Sequence, residues 1–399
     1  MKKLLLLGGL RYLIPVIKTA QKMGHHVITC DYVPDNIAHT YSDEYHNVNI
    51  IDKEAVLSLA KSLKIDGIMS FAVDPGVTTA AYVNEKMNLN CAGPFESINI
   101  LQNKGLFRKF LETHNFNVPK FRYYSNIGEA VNDFEYFDLP VIVKPVDSAG
   151  SKGVTKITSK KYLENAINYA INSSKTRKFI IESFLESKGH PSDSDCFSIN
   201  GSLDFVTFSN QRFDSKSPNP YVPSAFSWPS SISDENKIYL KSELQRLIKL
   251  LDMKTSLYNI EVREAIDNKA YIMEVSPRGG GNRLSEMLYH ATGKDLISCA
   301  IKAALGEEIK KLFQPIYKDN WAEIIIYSNE TGKFKELQID HELDDFIVEI
   351  DLWVQKGDKV NSFTGSNQAI GTIILKFEEF INMEYLISKH SEYIKVILE

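Results

Sequence analysis

Leu139-Pro140-Val141-Ile142-Val143-Lys144-Pro145 runs, through Val146, straight into Asp147-Ser148-Ala149-Gly150-Ser151-Lys152-Gly153-Val154. The first stretch reads as a buried strand that delivers one lysine near its end. The second is a loop of glycine and small residues. A lysine on a rigid strand holds a point charge against phosphate, and glycine-rich backbone offers N–H donors that reach phosphate oxygens with no side chain in the way. Lys144 and the loop residues Ser148, Gly150, Ser151, Lys152 and Gly153 are therefore a candidate phosphate clamp. A solvated lysine beside an ordinary hairpin turn has the same local pattern, so the reading depends on what flanks it.

Toward the N-terminus the chain alternates strand and helix. Lys2 to Leu7 is an apolar run closed by Gly8-Gly9, followed by a helical stretch from Tyr12 to Met23 and a second run from His26 to Cys30 that ends at Asp31. A helix over Lys53 to Leu63, a strand over Gly67 to Phe71 and a helix over Val77 to Met87 continue the alternation, which predicts a parallel α/β sheet of the Rossmann type. Gly8-Gly9-Leu10-Arg11-Tyr12-Leu13 lacks the third glycine of the dinucleotide-binding turn, so it is read as a tight strand-to-helix connection. Asp74-Pro75-Gly76 follows a strand end of this sheet, where open α/β sheets place ligands. Asp74 is either a substrate contact or a helix cap.

After Pro94 the texture becomes α+β. A charged helix is expected over Ser97 to His114, hairpin-like runs around Val141 to Thr158 and Phe179 to Phe208, and helices at Leu163 to Asn172 and Glu235 to Asp252. Strands over Leu257 to Arg263 and Ala270 to Val275, joined by Asp267-Asn268-Lys269, should pair antiparallel. Helices over Leu284 to Thr292 and Asp295 to Leu305 come next. From about Trp321, short strands and a Lys356-Gly357-Asp358 turn suggest a small β-rich closing subdomain. The expected division is a Rossmann-like domain over 1–96, a two-lobed nucleotide-binding region over 97–310 and the closing subdomain over 311–399.

Bulk properties narrow the function classes. With 399 residues the chain should fold as about two to four packed subdomains. A net charge of -5 lacks the basic excess that phosphate-backbone binding uses, so nucleic acid is not the expected partner. The four cysteines, Cys30, Cys91, Cys196 and Cys299, show no CxxC pair and suit a reduced, cytoplasmic protein. Met1-Lys2-Lys3 and Leu4 to Leu7 imitate a signal peptide, but Gly8, Gly9 and Arg11 interrupt the run early. No apolar stretch approaches the length needed to cross a bilayer.

Further marks downstream of the clamp share its chemistry. Glu261 and Glu274 sit on the two strands of the expected hairpin, whose facing rails can bring two carboxylates to one metal. Mg²⁺ prefers a few carboxylate oxygens together with phosphate oxygens and water. The segment Met273-Glu274-Val275-Ser276-Pro277-Arg278-Gly279-Gly280-Gly281-Asn282 then places an arginine and flexible backbone beside the second carboxylate.

Taken in order, these marks resemble the ATP-grasp superfamily. Lys104, after Asn103, stands where that family has an earlier phosphate-binding lysine. Phe179-Ile180-Ile181-Glu182-Ser183-Phe184-Leu185 looks like the hinge whose backbone reads the adenine edge near Glu182, Phe184 and Leu185. Asp195 stands where relatives place a glutamate near the ribose or substrate. Glu274 to Arg278 resembles the E-x-N-x-R signature: Glu261 and Glu274 are then Mg²⁺ ligands, Ser276 replaces the usual asparagine as a weaker ligand, and Arg278 is the catalytic group facing the transferred phosphoryl. Gly279 to Asn282 would hydrogen-bond a substrate carboxylate or developing oxyanion. Lys356 to Gly365, with Ile370-Gly371, resembles the lid-like closing segment of L-amino-acid ligases and carbamoyl-phosphate-synthase-type proteins.

The resemblance implies an ATP-grasp fold, ATP and Mg²⁺ as cofactors, and a carboxylate-amine ligase that makes an acyl phosphate and releases ADP and phosphate. Small-molecule carboxylates and amines are the implied partners, with a homodimer compatible and no membrane or nucleic acid involved. One alternative is a purine-biosynthesis-type carboxylase or formate-using ligase, against which stands the absence of a Gly-Gly-Gly-Gln-type first turn. Another is a nucleotide-binding relative without catalysis, which the departure at Ser276 would allow.

Overall fold

Four consecutive leucines, Leu4 to Leu7, are completely buried because the strand they form is covered on both faces. That strand, β1 (Lys3–Leu7), leads through α1 (Ile14–Lys22) to β2 (His26–Cys30), β3 (Glu44–His46), α2 (Lys53–Leu63), β4 (Gly67–Ser70) and α3 (Asp74–Met87). The strands pair in parallel in the order β3-β2-β1-β4, the Rossmann-type arrangement expected. The structure is a computed structural model and describes residues 1–148 and 150–399, so Ala149 of the glycine loop lies outside the described residues.

Where one charged helix is expected over Ser97 to His114, there are two: α4 (Phe95–Gln102) and α5 (Lys104–Thr113). Asn103 makes the break. Its backbone is extended, and its side-chain oxygen accepts hydrogen bonds from the amides of Gly105 at 3.0 Å and Leu106 at 3.1 Å. It thereby satisfies two of the orphan donors at a new helix start. The break fixes Lys104 as the first residue of α5.

The next lobe contains β5 (Phe121–Tyr124), α6 (Ile127–Asn132), β6 (Val141–Pro145), β7 (Thr155–Ile157), α7 (Leu163–Ser173) and β8 (Phe179–Ser183). Its antiparallel sheet, β5-β8-β6-β7, packs against the apolar face of α7 through Val141, Val143, Phe179, Ile167 and Ala170. Then come β9 (Ser192–Ile199), β10 (Ser202–Val206), β11 (Asn210–Phe213), β12 (Pro223–Trp228), α8 (Asp234–Leu250), β13 (Ser256–Glu264) and β14 (Ala270–Ser276). The second lobe is the sheet β10-β9-β13-β14 with α8 on one face. After α9 (Leu284–Thr292) and α10 (Leu296–Leu305) the chain adds β15 (Asn320–Ile326), β16 (Gly332–Ile339), β17 (Ile347–Leu352), β18 (Lys359–Val360), β19 (Gly371–Phe377), α11 (Phe380–Ser388), α12 (His390–Tyr393) and β20 (Ile394–Leu398).

Two features depart from the linear division into domains. The C-terminal region does not form its sheet alone, because β11 and β12 join it in the order β11-β12-β15-β19-β17. Also, α10 returns to cover the first sheet: Ala300, Ile301, Ala304 and Leu305 share one core with Leu4 to Leu7 and Ile68, and Lys2 Nζ donates to the Leu305 carbonyl at 2.7 Å. Contact there is close enough that a Cβ built on Gly67 would stand 2.5 Å from the Ala304 carbonyl oxygen, so that position admits only glycine without rearrangement. Strand pairing between segments distant in sequence leaves no local composition signal at either boundary.

Candidate active site

Strand register assembles the centre. Across β9, β13 and β14, Asp193, Glu261 and Glu274 are aligned in one row, and Asp195, Asn259 and Ser276 in the next. Residues two apart on a strand face the same way, so both rows lie on one face of the sheet. The expected pairing of Glu261 with Glu274 is thus a direct cross-strand partnership. Asp193, two residues before Asp195, is a third carboxylate that the sequence reading passed over. Burial and the Glu261 charge push Asp193 above the usual carboxylate range, and burial and the Glu274 charge do the same to Glu261. Glu274 goes the other way: burial alone would raise it, but Lys104, with the Arg278 and Lys144 charges, together hold it below its ordinary value. Among the described residues no group of three or more His, Cys, Asp or Glu side chains is disposed to hold a metal by itself.

Two lysines come in from separate segments, Lys104 onto Glu274 and Lys144 onto a different carboxylate. Lys104 Nζ lies 2.7 Å from Glu274 Oε2 and 3.4 Å from the carbonyl oxygen of Ser148 in the glycine loop. Lys144 Nζ, at the end of β6, lies 2.7 Å from Glu182 Oε2. The other Glu182 oxygen is 2.7 Å from Arg108 Nε, and Arg108 Nη1 donates to the Met273 carbonyl at 2.8 Å. Arg108 is fully buried and Glu182 is 2% exposed, so the three form a buried ion triad. Burial, together with the Arg108 and Lys104 charges, lowers the Lys144 ammonium. Arg108 was missed in the sequence, although a lone arginine between Phe107 and Leu111 on an amphipathic helix is a signal of buried pairing.

The triad changes the reading of the hinge. Glu182 sits in the central strand β8 between Phe121 and Ile142, and it contributes a buried carboxylate. Of the neighbouring backbone groups, the Ser183 amide donates to Lys120, the Phe184 amide donates to Pro140, and the Leu185 carbonyl accepts from Arg263 Nη1 at 2.8 Å. The glycine loop curls through left-handed backbone at Gly150, Ser151 and Gly153, the geometry in which successive amides point to one side. Ser148 Oγ donates to the Ser173 carbonyl, and Ser151 Oγ donates to the Tyr221 carbonyl at 2.9 Å. Lys152 is exposed.

At the strand exit, Arg278 is not free. Its Nε and Nη2 donate to the two oxygens of Asp74, each at 2.8 Å, and its Nη1 donates to the Gly279 carbonyl at 2.9 Å. Asp74, the first residue of α3, makes no side-chain cap of that helix; its carboxylate holds the guanidinium fork of Arg278. Ser276 is fully buried, donates from Oγ to Asp74 at 3.1 Å and accepts from Gln102 Nε2 at 2.8 Å. Its hydroxyl proton and one lone pair are therefore engaged inside the protein, which argues against Ser276 as a metal ligand. Asp195 is likewise held by contacts within the protein. It is wholly buried, accepts from the Gly280 amide at 2.9 Å and from Ser285 Oγ at 2.5 Å, and its carboxyl is raised by burial to about 6. It anchors the glycine turn after Arg278. A Cβ at Gly280 would stand 2.5 Å from Leu284 and 3.0 Å from Asp195, so the anchor also requires glycine.

The buried triad makes a stability prediction. Although burial alone would raise Glu182, Arg108 and Lys144 push its carboxyl down to about 2. Its contribution to stability is complete above the ordinary glutamate value and is lost as pH falls through about 2. Arg108→Met should lower unfolding stability by about 3–5 kcal/mol, because it leaves a buried carboxylate short of a partner. Urea midpoints at neutral pH measure this, and an unchanged midpoint would show that Lys144 alone satisfies Glu182.

A family profile described as an ATP-grasp domain matches residues 137–286. The carbamoyl phosphate synthase large chain of Thermoanaerobacter sp. (strain X514) is 25% identical over 272 residues, covering 66% of this chain and 24% of that protein. Among solved structures, L-amino acid ligase from Bacillus licheniformis matches with TM-score 0.81 at 19% identity, covering 100% of this chain and 99% of that one. Phosphoribosylglycinamide synthetase from Anaerococcus prevotii matches with TM-score 0.76 at 24% identity and full coverage of both chains. The chain spans about a quarter of the length of the carbamoyl phosphate synthase chains it matches. It carries an ATP-grasp domain and has the ATP-grasp fold. No helix among the described residues is long and apolar enough to cross a membrane.

Proposed function

We propose that this protein is an ATP-dependent ligase that activates a small carboxylate as an acyl phosphate for attack by an amine, with release of ADP and phosphate. The observation that supports it most is the convergence of residues from four separate segments: Lys104, Lys144, Glu261 and the Glu274–Arg278 stretch. Lys104 Nζ lies 2.7 Å from Glu274, whose cross-strand partner is Glu261, and the lysine and two carboxylates would act together there.

A carboxylate is a poor electrophile, so the task is to hold its oxygen in line with the terminal phosphorus while charge on the oxygens is neutralised. Lys104, Lys144 and the amides of the glycine loop would hold the phosphates, and the segment from Glu182 to Leu185 would border the adenine. Glu261 and Glu274 would hold Mg²⁺: two carboxylates facing across one register pair suit a hard cation shared with phosphate oxygens. Bound there, the metal supplies charge neutralisation on the phosphoryl group. Arg278 would act on the same group once Asp74 shares or yields it. The Gly279–Gly281 turn, pinned through Asp195, would present amides to the acid.

Lys144→Ala should weaken ATP binding by about 10- to 100-fold, the value of one or more charge-assisted contacts of about 1.5–3 kcal/mol. Calorimetry on the folded variant checks this, and an unchanged affinity removes Lys144 from the clamp. The reaction itself is tested by ADP release in the presence of pooled acids, with and without pooled amines. Release that needs an acid and rises with an amine supports the ligase. A second reading, a nucleotide-binding protein without turnover, is favoured by one observation, the engagement of Ser276 by Gln102 and Asp74. Tight ATP binding with no acid-dependent release would establish that reading instead.

A further inference from the structure

Between the first sheet and the second lobe lies a cavity of about 60 Å³ that the reaction above does not use. Two helices supply most of its wall. From α3 come Val77, Ala80, Ala81 and Asn84, and from α10 come Ala300, Ala303 and Ala304, so each helix turns one i, i+3, i+4 stripe toward it. Ile68 of β4 and Leu257 of β13 close the sides, and the Pro277–Gly279 backbone lies at one end. Alanines stand where longer side chains would meet, and the space they leave amounts to roughly four to six water-sized positions.

The polar groups on the inner wall are committed elsewhere, with one exception. Ser70 Oγ donates to the Val73 carbonyl, Ser256 Oγ to the Leu257 carbonyl at 2.9 Å, and Cys91 Sγ to the Gly93 carbonyl at 2.9 Å. Thr255 Oγ1 accepts from the Asn200 amide at 2.9 Å and donates to Asn200 Oδ1 at 3.3 Å. Among the lining residues Arg278 alone is charged, and its three nitrogens donate to Asp74 and to the Gly279 carbonyl. Asn90 is exposed, at the rim. The exception is Asn84, which is only 5% exposed. Its Nδ2 donates at 3.3 Å to the Ile68 carbonyl on β4, the edge strand of the first sheet, and its Oδ1 has no hydrogen-bond partner among the described residues. Nitrogen and oxygen occupy separate arms of the planar amide. Anchoring the nitrogen on β4 therefore turns the oxygen away from that strand, on the stripe that α3 presents to the cavity.

A buried acceptor is costly to leave unmet. Water serves it poorly here, because a buried water uses about two to four polar partners and this wall offers one. A molecule with an aliphatic body and one O–H donor matches both the wall and the acceptor. The ligand should also be neutral, since no uncommitted charge faces the space. We propose that this cavity is a binding site for a small aliphatic alcohol of about five heavy atoms, whose hydroxyl donates to Asn84 Oδ1. The site stands apart from the phosphate centre and does not depend on the ligase reading.

1-Butanol, methyl propyl ether and butylammonium have the same number of heavy atoms in one chain and differ in donor and charge, so they serve as probes. In saturation-transfer difference NMR titrations on the full chain, 1-butanol should bind saturably, the ether about three- to tenfold more weakly for want of the donor, and butylammonium not at all. Ala303→Leu, at a half-buried position on the wall, should abolish butanol binding by filling the space, with circular dichroism and ADP affinity unchanged. Asn84→Leu should reduce butanol to the level of the ether. No saturable binding of butanol, equal binding of the ether or of butylammonium, or butanol affinity unchanged in a folded Ala303→Leu protein would each overturn the assignment. A folded Asn84→Leu protein that still prefers butanol over the ether would do the same.

Discussion

Glu274→Gln should fold normally, bind ATP and release ADP at least about a hundredfold more slowly than the parent at every Mg²⁺ concentration within reach. The amide keeps the shape of the side chain and removes its charge at the position where three demands meet. Glu274 accepts from Lys104, stands opposite Glu261 and shares its strand exit with Arg278. Lys104, half-buried and bonded to the Ser148 carbonyl as well, would lose the partner that favours its charged form, so some loss of phosphate binding should accompany the loss of rate. Steady-state ADP release against Mg²⁺, together with circular dichroism and a nucleotide titration, separates these effects. Near-parental turnover at millimolar Mg²⁺ would mean that the metal is held elsewhere.

Arg278→Lys should lower kcat by about two orders of magnitude while leaving ATP affinity nearly unchanged. The charge survives but the planar fork does not, and in the structure the fork is in use: Asp74 receives one N–H on each oxygen. A lysine can make one of those contacts. Asp74→Asn serves as the companion variant, because it loosens the hold on Arg278 without touching its chemistry, and its effect should be smaller. If Arg278→Lys instead shows the parental kcat with a raised KM for the acid, the arginine reads the substrate carboxylate in the ground state.

What could be read from the sequence was periodic or short-range. The alternating first sheet, the hairpin that pairs Glu261 with Glu274, and helices such as α2 and α9 each carry their own pattern over a few residues, and they appear where that pattern lies. Partners brought together across the fold were hidden. Arg108 and Glu182 are separated by more than seventy residues, and Asp74 and Arg278 by 204, with nothing in either segment to name the other. Ser276 and Asp195 show the converse. Position in a motif suggests ligand contact for both, and neither their complete burial nor their internal hydrogen bonds could be read from that position.

The return of α10 over the first sheet has a consequence for biosynthesis. Roughly 225 residues separate the end of β4 from the start of α10, which at about 5–20 residues per second is an interval of roughly 10–45 s. Throughout it, the nascent N-terminal sheet lacks one of its apolar covers, and the bare patch around Gly67 and Ile68 is where a holdase chaperone would dock. Ribosome-stalled chains ending before residue 296 should therefore be captured by such a chaperone and cleaved readily by protease, and chains long enough to expose residues 296–305 beyond the exit tunnel should escape both.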